Sequence, residues 1–383
     1  MSRRGVLAPL RLPGAALSVA GVVVAVLSAA CAAGRGVAPV PRVAVAPPRP
    51  SPSSGGPAFV KVRVTDASGT RVVDVALEDY VLGAVRAELA PDTLRDESAS
   101  AMLEVQAVVS RTYVLANLHR HGAEGFDVCD GTHCQVYRAP VASSGAADRV
   151  ADPASRAVAA TQGLVITFEG RVIQALFHAH CGGHTASAAS VWGGAEEAYL
   201  TGVPDWFCSR KAPLQWTYTA DETALVRALA ASPGTDVGRS LERIDVTQRD
   251  AAGRALVLAL VGSRTSTVRA DAFRAVMRQA FGERSIRSAW FTVVRDGDRF
   301  LFNGVGAGHG VGLCQAGALQ RSRAGLSAAD IISHYFPGTR IQPASSAILP
   351  AAPLPYRHSS QPVTTTVQES GTMSARPEHA AGR

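Results

Sequence analysis

Charge is scarce in this chain: 18% of its 383 residues are Asp, Glu, Lys or Arg, against 47% hydrophobic ones. That balance supplies ample apolar side chain for a core and excludes a wholly disordered protein, which needs the opposite bias. The formal surplus of +7 is confined to the ends. Six of the 38 basic residues and none of the 31 acidic ones lie in 1–57, three and two lie in 343–383, and the middle keeps 29 of each. Without net positive charge between 58 and 342 a nucleic-acid partner is not expected. No internal repeat and no steady strand–helix alternation is visible either, so the expected class is α+β, mixed sheets with packed helices, and not a doubly wound sheet.

The ends speak of location. Arg3, Arg4 and Arg11 precede an uncharged run from Ala15 to Ala33, a basic n-region followed by an apolar h-region. Export to the cell envelope is expected. Cleavage near Ser28, Ala29 and Ala30, lipidation at Cys31 and retention as a membrane anchor all fit residues 1–33. Residues 34–57 carry seven prolines from Pro39 to Pro57 and read as an extended spacer, and 343–383, rich in Pro, Ser, Thr and Ala, reads as a disordered tail. Function is sought in 58–342, taken as one domain. Of the six cysteines, five remain if Cys31 is removed or lipidated, so at least one is free or bound to something.

Along the middle, Phe59–Val64 and Arg71–Val75 alternate as a hairpin around a Ser-Gly turn. Leu77, Val81, Ala84 and Glu88 then recur at helical spacing, with Pro91 beyond, which sets Glu88 on the apolar face of its helix. A second helix is expected from about Glu97 to Leu118, a loop from His119 to Tyr137, and a strand pair around Glu169-Gly170. Further helices are expected near 153–162, 224–230 and 272–279, with strands near 244–249, 255–261 and 290–294.

Four groups of residues could carry chemistry. Glu88, packed among Val and Leu, should have its pKa raised by desolvation and so suits a general acid, unless it faces solvent; a nearby arginine would oppose the shift. Cys129, His133 and Cys134, with His119 and His121 upstream, offer thiolate and imidazole ligands for zinc, and a Cys129–Cys134 disulfide is the alternative. The run His178-Ala-His-Cys-Gly-Gly-His184 suits a substrate-lining turn, with Cys181 bridged to Cys208 as one option and metal binding as another. Finally, Gly304, Gly306, Gly308, Gly310 and Gly312 alternate up to Leu313-Cys314-Gln315, which would strip one strand face and admit a backbone or sugar ring. The register is wrong for a dinucleotide fingerprint. A cysteine hydrolase using Cys314 with His309 or His334 finds no supporting spacing.

Together the segments Tyr80-Val-Leu-Gly-Ala-Val-Arg-Ala-Glu88-Leu89, Gln106-Ala-Val108 with Ser110-Arg-Thr-Tyr113, Gln135-Val-Tyr137, Cys181-Gly-Gly-His-Thr185 and the Gly308-to-Ala318 run resemble the SpoIID/LytB family, which comprises stage II sporulation protein D and the amidase enhancers. The resemblance covers 58–342. It implies an extracytoplasmic peptidoglycan protein with a glycan-binding groove, and in the sporulation members a lytic transglycosylase leaving 1,6-anhydro ends. The family's catalytic glutamate falls on Glu88. Arg111, Tyr113, Gln135, Gly183, His184, His309 and Gln315 would contact or position the glycan strand, with Arg111 equally suited to a helix-packing ion pair. One branch holds a structural zinc in a cluster resembling His121, Cys129, His133 and Cys134. The enhancer members imply a non-catalytic alternative, a glycan binder that stimulates a cell-wall amidase. The family's second helix often reads Glu-Ala-Leu-Lys-Ala-Gln, and here Ala101 and Glu104 stand at its first and fourth positions.

Overall fold

The computed structural model describes residues 57–139, 152–210 and 213–350. The apolar leader, Cys31, the spacer up to residue 56 and the tail from 351 lie outside the described residues. Among the described residues no helix is long and apolar enough to cross a membrane.

The expected hairpin pairs Phe59–Asp66 with Gly69–Ala76, Phe59 opposite Ala76 and Asp66 opposite Gly69. It runs straight into the helix Leu77–Glu88, whose first turn carries Glu78 and Asp79, favourable against the positive end of the helix dipole. Leu89 and Ala90 turn extended ahead of Pro91, which disfavours a helical predecessor and so ends the helix. A 3-10 turn, Glu97–Ala99, leads into the second helix, Ser100–Ala116. Nearly all of that helix is buried, as an all-round apolar sequence requires. Each Val or Leu fully buried there contributes roughly 1.5–3 kcal/mol.

Short sheets surround this pair of helices. Val128–Cys129 adds to the hairpin in parallel. Leu164–Phe168 lies between Arg171–Val172 and Arg340–Pro343, and Phe177–His178 runs parallel to Leu313–Cys314. A second core is built around Trp216, Leu225, Leu258, Phe273, Phe291 and Phe302. There Arg299–Val305 lies between Gln215–Asp221 and Phe291–Asp296, and Ala255–Gly262 lies between Leu241–Arg249 and Thr265–Arg269. The helices Glu222–Ala230 and Ala270–Phe281 complete it. The first core contains Cys208 and resumes at Val311, so the second is an insertion that leaves and re-enters the first. Separate helices and small, mostly antiparallel sheets make the protein α+β, as the irregular element order predicts.

Two expectations need correction. Residues 343–350, assigned by composition to the disordered tail, are ordered: Pro343 pairs with Leu164, the Val172 N–H donates to Ile348 O at 2.9 Å, and Ala344 is buried. Backbone pairing to a strand remote in sequence leaves no mark on composition. The glycine run is also not a stripped strand. Gly306, Gly308, Gly310 and Gly312 all have positive φ, which L side chains rarely adopt. A Cβ at Gly312 would lie 2.2 Å from Leu176 O, and one at Gly306 would lie 2.7 Å from His180 O. Gly306, Gly308 and Gly312 let their backbone approach the 176–182 segment, and Gly310 makes room for the Arg254 side chain.

Candidate functional site

Glu88 is the last residue of its helix and is partly buried, at the junction of three segments. Its Oε1 accepts the Val136 N–H at 2.6 Å, and the Gln315 side chain hydrogen-bonds the same carboxyl. Burial pushes the pKa of Glu88 up to about 7; the Val136 amide and Gln315 pull weakly the other way. No arginine is among the groups that shift it; the two arginines of these helices are engaged elsewhere. Arg86 donates to Asp152 at 2.8 Å, and Arg111 is fully buried, its Nε and Nη2 donating to the two oxygens of Glu78 at 2.9 and 2.6 Å and its Nη1 to Leu164 O at 3.1 Å.

The segment that supplies Val136 is held in turn. Gln135 is buried and donates to Tyr80 OH at 2.9 Å and to Ser110 O at 3.3 Å. Tyr137 stacks on Tyr80 with ring centroids 5.1 Å apart. Gly83 lies directly beneath, where a Cβ would come within 2.4 Å of the Tyr137 ring and 2.5 Å of Arg138 O. Only glycine allows that segment to lie so close to the helix. On the other side Gln315 donates to Gln106 Oε1 at 3.2 Å, and Gln106 donates to Ser110 Oγ at 3.1 Å. A chain of amides thus joins the second helix, the glycine segment and the carboxyl.

Of the residues expected to line the site, Gln135 and Gln315 converge on Glu88 as described. Tyr113 is buried and its hydroxyl meets Arg120 Nη1 at 3.4 Å, with burial raising its pKa well above the usual tyrosine range. Arg111 takes the ion-pair role of the two considered: a side chain with no exposed surface, its Nε, Nη1 and Nη2 each engaged by Glu78 or Leu164 O, does not reach a sugar. Gly183, His184 and His309 gather around the 178–186 turn. The Gly183 carbonyl accepts the Asp205 N–H at 2.8 Å, His184 Nδ1 meets Thr185 O at 2.6 Å, and the His309 ring lies 5.2 Å from Trp192 and 5.5 Å from His178. A separate depression of about 640 Å³, on the second core, is lined by Trp216, Arg249, Trp290 and Asn303. Of the candidate residues singled out from the sequence, Gly304 alone lines it. The Val136 amide escaped sequence reasoning because a backbone N–H has no residue-type signature; the only clue was its place between Gln135 and Tyr137.

The loop after the second helix brings His121, Cys129, His133 and Cys134 together, their ligand atoms within 4.8 Å of one another. Cys134 Sγ is 3.3 Å from Cys129 Sγ, 3.5 Å from His121 Nε2 and 3.6 Å from His133 Nδ1. The two sulfur–nitrogen separations match the edge, about 3.5 Å, of a tetrahedron around zinc with Zn–S near 2.3 Å and Zn–N near 2.0 Å, while the two sulfurs lie closer than its S–S edge of about 3.8 Å. His121 Nδ1 also meets Glu124 Oε1 at 2.8 Å, the outer carboxylate that orients a metal-binding imidazole. His119 stands apart, highly exposed, 3.3 Å from Asp127. All five described cysteines are unbridged.

The family described as Stage II sporulation protein (SpoIID) matches residues 65–168, and a domain of unknown function (DUF8618) matches 208–312, the stretch that contains the second core. Stage II sporulation protein D of Bacillus amyloliquefaciens is 29% identical over 296 residues, covering 75% of this chain and 80% of its own length. An uncharacterized protein of Brachyspira hyodysenteriae is 28% identical over 271 residues, 70% of this chain and 67% of its own length. The amidase enhancer of Bacillus subtilis is 24% identical over 282 residues, 62% of this chain and 37% of its own length. The SpoIID match runs through the helix that ends in Glu88 and the loop that caps it, and the match and these relatives agree in placing the chain's likeness with the SpoIID/LytB family.

Proposed function

We propose that the protein acts on the cell wall from the extracytoplasmic side, as a lytic transglycosylase that cleaves the MurNAc–GlcNAc bond of peptide-stripped glycan strands with Glu88 as its one general acid and base. The single observation that supports this most is the half-buried carboxyl with a pKa near 7, held by a backbone amide and Gln315 and without an arginine to keep it ionised. A carboxyl that is protonated at neutral pH donates to the leaving glycosidic oxygen as positive charge develops on the sugar. The resulting carboxylate then takes the proton of the sugar's own 6-hydroxyl as that oxygen attacks the anomeric carbon, closing the 1,6-anhydro ring and restoring the acid. No water is consumed, so the second carboxylate that hydrolytic glycosidases use to activate water or form a covalent intermediate is not needed.

A structural zinc at His121, Cys129, His133 and Cys134 fits this reading. When bound it would cross-link the loop; the protein's own contribution is to hold Val136, two residues beyond Cys134, where its N–H reaches Glu88. Gln135 and Tyr80 fix the same segment by packing and hydrogen bonding.

The test is digestion of peptide-stripped glycan, with products identified by mass spectrometry. Anhydro-muramic ends from the unaltered chain, and none from Glu88→Gln, are expected. Normal turnover by Glu88→Gln refutes the assignment. The second reading, a non-catalytic binder that stimulates a cell-wall amidase, is favoured by the likeness to an amidase enhancer. It predicts unchanged glycan with folded protein and a faster partner amidase.

A further inference from the structure

The three described cysteines outside the loop cluster are brought to one place. Cys181, Cys208 and Cys314 converge with Asp205, and their ligand atoms lie within 4.8 Å of one another, all four residues buried. Cys208 Sγ is 3.5 Å from Cys314 Sγ, and Cys181 Sγ is 3.4 Å from Asp205 Oδ2. A tetrahedral zinc with bonds near 2.3 Å to sulfur and 2.1 Å to oxygen has edges of about 3.8 and 3.6 Å. We propose that Cys181, Cys208, Cys314 and Asp205 form a second, structural site for a thiophilic divalent cation, zinc by its ligand set.

Backbone N–H groups face two of the three sulfurs. Cys314 Sγ accepts the N–H groups of Cys181 at 3.2 Å and Gly317 at 3.4 Å, and Cys181 Sγ accepts the Gly183 N–H at 3.3 Å. Cys208 Sγ lies 3.3 Å from the His180 ring. The helix Gln315–Arg323 begins directly at Cys314, so its positive end faces the sulfurs. Gly317 permits this approach, since a Cβ there would lie 2.0 Å from Asp205 Oδ2. The charges close as well. A dication against three thiolates and a carboxylate leaves two negative charges, and two buried arginines stand beside them. Arg321 Nη2 is 3.5 Å from Asp205 Oδ1, and Arg254 Nη2 donates to the Cys181 carbonyl. Tyr335 OH donates to Asp205 Oδ2 at 2.7 Å, an outer hydrogen bond of the kind that orients a ligating carboxylate. A disulfide would use two of the three sulfurs and bury the third without its partner.

The location explains what such an ion does. The chain departs for the second core just after Cys208 and returns just before Cys314, so the ion clamps the entry and exit of the insertion to the Cys181 turn. It also fixes the residue that precedes Gln315. The site is independent of the transglycosylase reading and of the loop cluster.

The test measures metal, not activity. The full chain and Cys208→Ser are purified without chelator and their metal content determined by elemental mass spectrometry. The variant should carry one molar equivalent less than the unaltered chain; equal content overturns the proposal. Where Cys208→Ser does not fold, Cys129→Ser/Cys134→Ser retains the whole second site and should keep one equivalent, and none overturns it. In the unaltered chain, Cys181, Cys208 and Cys314 should resist alkylation until a chelator is added. A disulfide between any two of them in a peptide map overturns the site outright.

Discussion

Glu88→Gln separates the proton from the shape of the side chain, and its effect on stability can be worked out before any substrate is added. Gln keeps an oxygen to accept the Val136 N–H and cannot ionise. The folded-state pKa of Glu88 is raised to about 7 from an ordinary 4.5. Between those values the folded protein retains a proton that the unfolded chain has released. The neutral carboxyl's contribution is therefore complete below pH 4.5 and is lost as pH rises through 7. At about 1.4 kcal/mol per pKa unit, the loss reaches about 3 kcal/mol. Urea unfolding of both proteins at pH 4 and pH 8 reads this directly. The unaltered protein should lose about 3 kcal/mol relative to Glu88→Gln between the two pH values, and the variant should be the more stable at pH 8. A difference that does not change with pH would mean that the carboxyl titrates like a surface glutamate, and the acid role would lose its physical basis.

The same pKa predicts that kcat/KM of the unaltered protein falls above pH 7 as the acid form disappears, and that Glu88→Gln lowers it by about 10²–10⁴-fold at pH 6, measured by release of anhydro-muramic products. Arg111→Met leaves Glu78 without its partner and should cost about 3–5 kcal/mol of stability in a thermal or urea melt; a raised KM with unchanged stability would instead make Arg111 a substrate contact. Gly83→Ala drives a Cβ into Tyr137 and Arg138 O, and should cost about 1–3 kcal/mol and reduce turnover by shifting Val136 off Glu88. Removing metal with a chelator should lower the melting temperature, and Cys134→Ser should do so without chelator; an unchanged melt in both cases would argue against a metal in the loop.

The site was partly legible because its main determinant is periodic. Helical spacing alone set Glu88 on the apolar side of Leu77, Val81 and Ala84, and that side packs into the first core. The clustering of His121, Cys129, His133 and Cys134 was readable because all four lie within one loop, where sequence distance limits spatial distance. Arg111 shows the opposite case. Its spacing allowed either a sugar contact or an ion pair, and only the position of Glu78, on another helix, chose between them.

The sequence by itself determined the α+β class, the apolar helices and the acid's place on its helix, since these follow from patterns within about twenty residues. Tertiary structure alone decided that the glycine run serves backbone contact with 176–182, that Arg340–Pro343 pairs with Leu164–Phe168 and Ile348 with the 170–172 segment, and that the chain carries a second core inserted into the first. It also decided that Cys181, Cys208 and Cys314 meet around Asp205. Each of these rests on contacts between segments distant in sequence, governed by how the whole chain closes on itself and by no local preference of the residues involved.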